Sequence, residues 1–332
     1  MDFTNRQRME LFFSIAAGGT RLKLLESIIT LRLSELIQNG SLTAEEIITA
    51  LNLSPLRAKK WLYLLCMENF LIEENYAYRL GPILTALFEE PQKWQYFSNV
   101  ITRLQSAAVD DLSAILKGNT PTYQADWPPA SEAASLTIEK RMKANINAVI
   151  AALENHLPPE TKTVLDVGGG DATLVCHFAH KNPSMHFTVY NLPEGAKLAS
   201  NKIAQENLSQ KIDVIDGDFL KDSAFPAGYD VILFTRVLCN WPVEICQKLL
   251  KMAFEALNEK GTIIICESFK ELNDNLILMR EYHNIFWDKF GIALFKDSAT
   301  YSKILEKIGF QDCEFSEAND AGVYRVLKAR KE

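Results

Sequence analysis

Hydrophobic spacing along the chain follows two grammars. Up to about residue 155, apolar positions recur at helical intervals. Met9, Leu11, Phe12, Ile15 and Ala16 open one helix, and Leu22, Leu24, Leu25, Ile28, Ile29, Leu31, Leu33, Leu36 and Ile37 follow as a stretch that is apolar nearly all round. Such a helix is either deeply buried or packed against another chain. From Ser41 the pattern shortens. Thr43 with Glu46 three residues on is a capping box that opens a helix over Ala44–Leu51, and Asn52-Leu53-Ser54-Pro55 is a turn. A second helix, from about Pro55 to Asn69, exposes Arg57, Lys59 and Lys60 and buries Trp61, Leu62, Leu64 and Leu65. Leu71 to Leu80 alternates about a polar turn as a small hairpin. Helix, turn, helix and hairpin make a winged-helix arrangement.

Beyond His156-Leu157-Pro158-Pro159-Glu160-Thr161, a boundary of turn residues, strands and helices alternate. Strands are predicted at Val164–Val167, Met185–Tyr190, Lys211–Ile215, Tyr229–Phe234 and Gly261–Glu267. Helices over 172–180, 194–207 and 243–257 separate them. Apolar strands between helices imply a doubly wound parallel sheet, a Rossmann-like α/β fold. Phe310–Phe315 and Val323–Ala329 read as a hairpin that closes it. The expected division is a winged-helix domain over residues 1–100, connecting helices over 101–158 and a Rossmann-like domain over 159–332.

Composition narrows the function classes. The 332 residues carry 35 Lys+Arg against 42 Asp+Glu, a net charge of −7, which argues against nucleic acid and anionic membrane as partners. Within the winged helix, residues 41–80, four basic residues face five acidic ones, so a DNA-binding regulator is the weaker reading and a dimerisation module the stronger. The six cysteines are dispersed with no CxxC pair, the pattern of reduced thiols in a cytoplasmic protein and not of a disulfide framework or a zinc site. The start of the chain has no signal-peptide pattern, no apolar run is long enough to span a bilayer, and no metal is expected.

In a doubly wound sheet the ligand lies at the carboxyl ends of the strands. The first crossover reads Asp166-Val167-Gly168-Gly169-Gly170-Asp171-Ala172-Thr173. It lacks the Gly-Lys-Ser/Thr of a nucleotide loop, and Thr173 stands where a dinucleotide fingerprint begun at Gly168 needs glycine. An acid ahead of the glycines disfavours a pyrophosphate and suits a cationic cofactor, for which S-adenosylmethionine fits. At the next strand ends come Asn191, placed for ribose hydroxyls or as a turn former, and Asp218-Phe219, placed for an adenine amino group and ring or, for Asp218, as a helix cap. Arg236 to Trp241 follow, with Trp241 read either there or as core.

Those segments, with Glu267 and the run Ala299 to Phe310, resemble the class I S-adenosylmethionine-dependent O-methyltransferases of the caffeate/hydroxyindole type. The resemblance covers essentially the whole chain. It implies a winged-helix dimerisation domain, a Rossmann-like methyltransferase domain, a homodimer and a small-molecule acceptor. By the same resemblance Asp166, Gly168 and Gly170 cradle the methionine part, Asp218 and Phe219 hold adenine, and Arg236 and Trp241 flank it, with Asn191 and Leu192 counted among the cofactor-binding residues.

Departures from the family pattern bear on mechanism. Ala172 and Asn191 stand where the family usually has Gly and Asp, and Cys239-Asn240-Trp241 stands for His-Asp-Trp, so the usual histidine base is absent and Glu267 loses its partner. A free thiol ionises near a pKa of about 8.5, so Cys239 serves as base only if strongly tuned and is otherwise a buried filler. His283 is the candidate replacement base, or a structural histidine, on a helix whose Tyr282, Phe286 and Trp287 form the acceptor wall in the family. The segments 295–297 and 299–301, with Asn191, are similar to the bacteriochlorophyllide C-methyltransferase branch. The expected activity is methyl transfer to oxygen or carbon of a small aromatic or macrocyclic acceptor, driven mainly by proximity. A non-methylating enzyme that uses the cofactor as a structural cation is the alternative.

Overall fold

In the computed structural model the described residues are 4–88, 98, 101, 111–120, 129, 131–143, 145–271, 274–287, 294–317 and 324–332, and the described side chains exclude those of residues 5, 141, 274, 283, 284, 286 and 287. Contacts divide the chain into two compact units, residues 1–109 and 110–332.

In the first unit α1 (Asn5–Thr30) is followed by α2 (Leu33–Ile37), β1 (Leu42–Thr43), α3 (Ala44–Ala50), α4 (Pro55–Met67), β2 (Leu71–Glu74), β3 (Ala77–Leu80) and α5 (Pro82–Phe88). The capping box on α3 is present, with the Thr43 hydroxyl accepting from the Glu46 N–H and the Glu46 carboxylate from the Thr43 N–H. The wing is a three-stranded sheet in the order β1-β3-β2. The single apolar helix expected over 22–37 is instead broken, with Arg32 in the left-handed region at φ 55°. The break folds α2 back, so that Leu24, Ile28, Leu33 and Ile37 share one core with Ile47, Leu62, Leu65, Phe70 and Leu71. The apolar residues left in water lie earlier, at Met9, Leu11, Phe12, Phe13 and Ile15, each at least half exposed.

The second unit contains α6 (Leu112–Leu116), α7 (Glu132–Lys143), α8 (Ile146–Leu153), β4 (Thr163–Val167), α9 (Thr173–Lys181), β5 (His186–Asn191) and α10 (Pro193–Gln205). These are followed by β6 (Ile212–Asp216), β7 (Tyr229–Thr235), α11 (Val243–Ala256), β8 (Leu257–Glu267), α12 (Asp274–Trp287), α13 (Ser298–Ile308), β9 (Gln311–Phe315) and β10 (Arg325–Arg330). Its seven strands run in the order β6-β5-β4-β7-β8-β10-β9. The first five are parallel, and β10 pairs antiparallel with both β8 and β9. Alternation along the central strands explains the layers, because successive side chains point to opposite faces. Leu165, Val167, Ile232, Phe234, Ile263 and Ile265 enter one core with α11 and α13. Val164, Val231, Leu233, Ile264 and Cys266 enter the other with α8 and α9. The strand order reverses between β4 and β7, which makes the carboxyl edge there the switch point at which ligands of such sheets bind.

Candidate cofactor and acceptor site

At the end of β4, Gly168 and Gly170 take φ of +71° and +59°, a region open to glycine at no steric cost. The turn is close-packed as well. A Cβ on Gly168 would stand 2.8 Å from Val237, one on Gly169 would stand 2.6 Å from the Asp166 carboxylate, and one on Gly170 would stand 2.6 Å from the Glu139 carboxylate. Ala172, where the family usually has glycine, also lies at φ +67°, so it keeps the left-handed turn despite its methyl. The turn is tied to its neighbours at several points. Gly168 N–H donates to the Tyr190 carbonyl at 2.7 Å, and Asn191 Nδ2 donates to the Gly170 carbonyl at 3.0 Å.

Asp166 is 1% exposed, and neither carboxylate oxygen has a hydrogen-bond partner among the described residues. Burial pushes its pKa up to about 7, against the pull of Arg236. A buried acid without a partner is costly and is retained where a charged or hydrogen-bonding ligand completes it. Arg236 follows β7 in the left-handed region at φ 57° and donates Nη1 to the Met142 carbonyl on α7 at 2.8 Å. Glu139, one turn earlier on α7, accepts from the Asp171 N–H, and its carboxyl is also pushed up to about 7, first by burial and then by the Asp171 charge.

At the end of β5, the Asn191 amide is occupied: besides Gly170 it accepts from the Leu192 N–H at 2.9 Å. After β6, Asp218 accepts from the Leu220 N–H at 3.0 Å and pairs with Lys221 at 2.8 Å, which is the local capping role. Tyr190 Oη donates to Asp222, which also receives the Asp218 N–H, so β5 steadies this loop. Phe219 is half-buried and meets the edge of Trp241 with ring centroids 5.6 Å apart at 86°. Trp241 lies in the core, so it anchors Phe219 from beneath.

The turn that carries Cys239-Asn240-Trp241 is a single 3₁₀ turn over Leu238–Asn240. Cys239 is buried with Ile277 of α12 and Phe295, and burial first, then the nearby Glu267, pushes its thiol well above the ordinary range. That environment favours the neutral thiol and suits the space-filling reading of Cys239. Beneath the turn, buried Lys296 donates to the carbonyls of Leu238 at 3.1 Å, Trp241 at 2.5 Å and Leu294. Glu267, at the end of β8, accepts from Tyr301 Oη at 3.2 Å, and burial pushes its carboxyl up to about 7. Ile277 sets α12 against the Cys239 turn, and Tyr282 on the same helix is half-buried. The side chains of His283, Phe286 and Trp287 lie outside the described residues.

Sequence reasoning missed two groups, Glu139 and Lys296. The first had a faint signal, an acid four residues after buried Ser135 on the inward face of α7. No group of three His, Cys, Asp or Glu that could hold a metal occurs among the described residues, and none of their helices is long and apolar enough to cross a membrane.

Residues 129–311, which include the glycine turn and all the strand ends described, match the model of the O-methyltransferase domain. The chain is similar to an L-tyrosine C(3)-methyltransferase of Streptomyces lavendulae, at 32% identity over 49% of this chain and 44% of the relative. It is also similar to a bacteriochlorophyllide d C-20 methyltransferase of Chlorobaculum tepidum, at 28% identity over 62% of this chain and 61% of the relative. These matches thus span about half the length of the curated relatives. Among solved structures, the apo form of the S-adenosylmethionine-dependent methyltransferase SibL superposes with a TM-score of 0.81 at 23% identity, covering 97% of this chain and 98% of that one. That likeness establishes the class I methyltransferase fold.

Proposed function

We propose, from the premise that this chain belongs to the O-methyltransferase domain family, that it is an S-adenosylmethionine-dependent methyltransferase acting on a small aromatic or macrocyclic acceptor. The observation that carries the reading is Asp166, a buried and unpartnered carboxylate set behind a glycine turn at the sheet's switch point. The residues present fit the cofactor. Gly168 and Gly170 let backbone approach its amino-acid part, Asp166 offers negative charge to a cation, and Asn191, with Leu192 beside it, would lie at the strand end nearest the ribose. Asp218 and Phe219 would hold the adenine, with Trp241 supporting Phe219 from the core and Arg236 flanking the site from the side of Asp166. When bound, S-adenosylmethionine supplies a methyl group already activated on a positively charged sulfur.

What remains for the protein is to bring the acceptor atom into line behind that methyl and to exclude water, and such positioning is worth about 7–11 kcal/mol in favourable cases. The candidates for the acceptor wall, as the family resemblance implies, are Tyr282, Phe286 and Trp287 of α12. His283 on that helix takes the acceptor proton where the acceptor is too weak an acid to lose it unaided. With the Cys239 thiol pushed up by burial, Glu267, which accepts from Tyr301 and from the backbone of the Cys239 turn, is the titratable carboxylate left at the usual histidine's position. Oxygen and carbon acceptors both suit this arrangement, and the names of the two curated relatives favour an aromatic or tetrapyrrole carbon.

Met9, Leu11, Phe12, Phe13 and Ile15 support a homodimer, with the first half of α1 as its apolar surface. This replaces the stretch 22–37, whose buried residues are already satisfied within the chain. Six free cysteines suit the cytoplasm. A DNA-binding role is disfavoured again by Lys59, which pairs with Glu45 at 2.8 Å, and by exposed Leu56, Tyr63 and Met67 on α4.

Calorimetry with S-adenosylmethionine and S-adenosylhomocysteine, followed by mass analysis of products from aromatic and tetrapyrrole acceptors, tests the reading. Cofactor binding and a gain of one methyl group support it. Binding of NAD or ATP in place of the sulfonium nucleoside overturns it. Conversion of an acceptor with the cofactor unconsumed favours the non-methylating alternative.

A further inference from the structure

Two carboxylates approach the glycine turn from different elements. Asp166 reaches it from β4, where its Oδ2 lies 2.6 Å from the place a Gly169 Cβ would occupy. Glu139 reaches it from α7, with Oε2 at 2.6 Å from the place of a Gly170 Cβ. Two ties hold the last turn of α7 over this spot. The Met142 carbonyl accepts from Arg236 at 2.8 Å, and Lys143 Nζ pairs with Asp171 at 2.5 Å. The charged groups around the pair are therefore Arg236, Lys143 and Asp171. Lys143 is engaged by Asp171, and Arg236 is the cation whose charge acts on both Asp166 and Glu139. Neither oxygen of Asp166 has a donor among the described residues.

Carboxylates accept hydrogen bonds, and an ammonium group offers three donors, whereas a sulfonium offers none. A positively charged donor at the turn satisfies Asp166 and relieves the crowding of like charges on Glu139. A glycine backbone that admits close approach is the surface on which such a group rests.

Building on the cofactor reading above, we propose that Glu139 is a further cofactor-binding residue, which with Asp166 receives the α-ammonium group of the cofactor's amino-acid tail. Helix α7, from the stretch expected only to connect two domains, thereby becomes part of the cofactor site. The carboxyls of both residues are pushed up to about 7, so binding of an ammonium drives their ionisation and the affinity weakens as the pH falls below that value.

The test compares two probes on the full chain. S-adenosylhomocysteine carries the amino-acid tail, and 5′-methylthioadenosine carries the same nucleoside without it. Glu139→Gln keeps an acceptor for the Asp171 N–H, so the turn is retained. Calorimetry at pH 8 is expected to show S-adenosylhomocysteine binding weakened about tenfold, equivalent to about 1.4 kcal/mol, with 5′-methylthioadenosine unchanged. Glu139→Asp, which keeps the charge, is expected to recover part of the loss. Equal weakening of both probes assigns Glu139 a purely structural role and overturns the proposal. Unchanged binding of S-adenosylhomocysteine by Glu139→Gln overturns it too. Failure of the unsubstituted chain to bind either probe brings down the cofactor reading itself, and this assignment with it.

Discussion

Asn191 Nδ2 donates to the Gly170 carbonyl at 3.0 Å, so the end of the second parallel strand clasps the turn that follows the first. A carboxylate at this position accepts only and would face that carbonyl with like charge. Asn191→Asp keeps the acceptor for the Leu192 N–H but loses the clasp. A loss of about 1–2 kcal/mol follows from one hydrogen bond replaced by an unfavourable contact. At about 2–4 °C per kcal/mol for a unit of this size, thermal unfolding should show a drop of several degrees at pH 8. The drop should shrink at acidic pH, where the new carboxyl is protonated and donates.

Cys239 and His283 separate by kinetics. Cys239 is a buried protonated thiol packed on Ile277 and Phe295. Cys239→Ala is therefore expected to leave kcat within about threefold while costing about 1 kcal/mol of stability through the small cavity it leaves. His283→Ala should lower kcat by about a hundredfold or more if the acceptor needs a base, with little change in the dissociation constant for S-adenosylhomocysteine. A rate indifferent to His283 leaves positioning alone as the mechanism.

Glu267 links stability to pH. Its carboxyl is pushed up from 4.5 to about 7 by burial in the folded chain. Between these values the folded state holds a proton that the unfolded state has lost, so this group makes stability fall as the pH rises through that window. Below it both states are protonated and the effect vanishes. Above it the penalty is complete, on the order of 3 kcal/mol. Glu267→Gln, which can still accept from Tyr301, should be more stable than the unsubstituted chain at pH 8, with little difference at pH 4.5. Urea unfolding at the two pH values reads the contrast.

Lys296 holds three carbonyls at once under the Cys239 turn. Lys296→Met removes the ammonium and leaves those acceptors without it, for which a loss of about 3 kcal/mol is expected, read as a lower urea midpoint at unchanged slope. Because Trp241 is one of the three and supports Phe219, affinity for 5′-methylthioadenosine should fall in the same variant.

The exposed face of α1 makes a prediction about mass. Phe12→Glu with Phe13→Glu should convert a particle of twice 37.5 kDa into one of 37.5 kDa in light scattering, without altering the unfolding of residues 110–332. A chain that is already monomeric before substitution at micromolar concentration removes the homodimer.

Much of this architecture could be read from the residues, for identifiable reasons. The parallel strands were legible because both of their faces are buried, which writes them as continuous apolar runs such as Ile263-Ile264-Ile265. The glycine turn was legible because a left-handed backbone in a crowded place leaves glycine as the residue that fits most easily. The break at Arg32 was not, since arginine has no preference for the conformation it adopts there and packing of Leu33 and Ile37 imposes it. Glu139 left only a faint signal and Lys296 none, because each acts on residues far along the chain: Gly170 and Asp171 for one, Leu238 and Trp241 for the other. Asp218 and Trp241 each carried two readings in the sequence, and their contacts include the local cap and the core anchor.

The antiparallel β10 lies between β8 and β9, which sets an order of events during synthesis. When β8 emerges, its outer edge has no neighbour, and it stays open while α12, α13 and β9 are made. Strand β9 cannot help, because its place in the sheet exists only once β10 has arrived. A nascent chain therefore displays one long, apolar, unpaired edge for an extended interval, the kind of surface that invites intermolecular pairing. Slowed translation across this interval should raise the demand for chaperones, and a ribosome stalled before Arg325 should yield a product prone to aggregate even with the glycine turn and most of the crevice already synthesised.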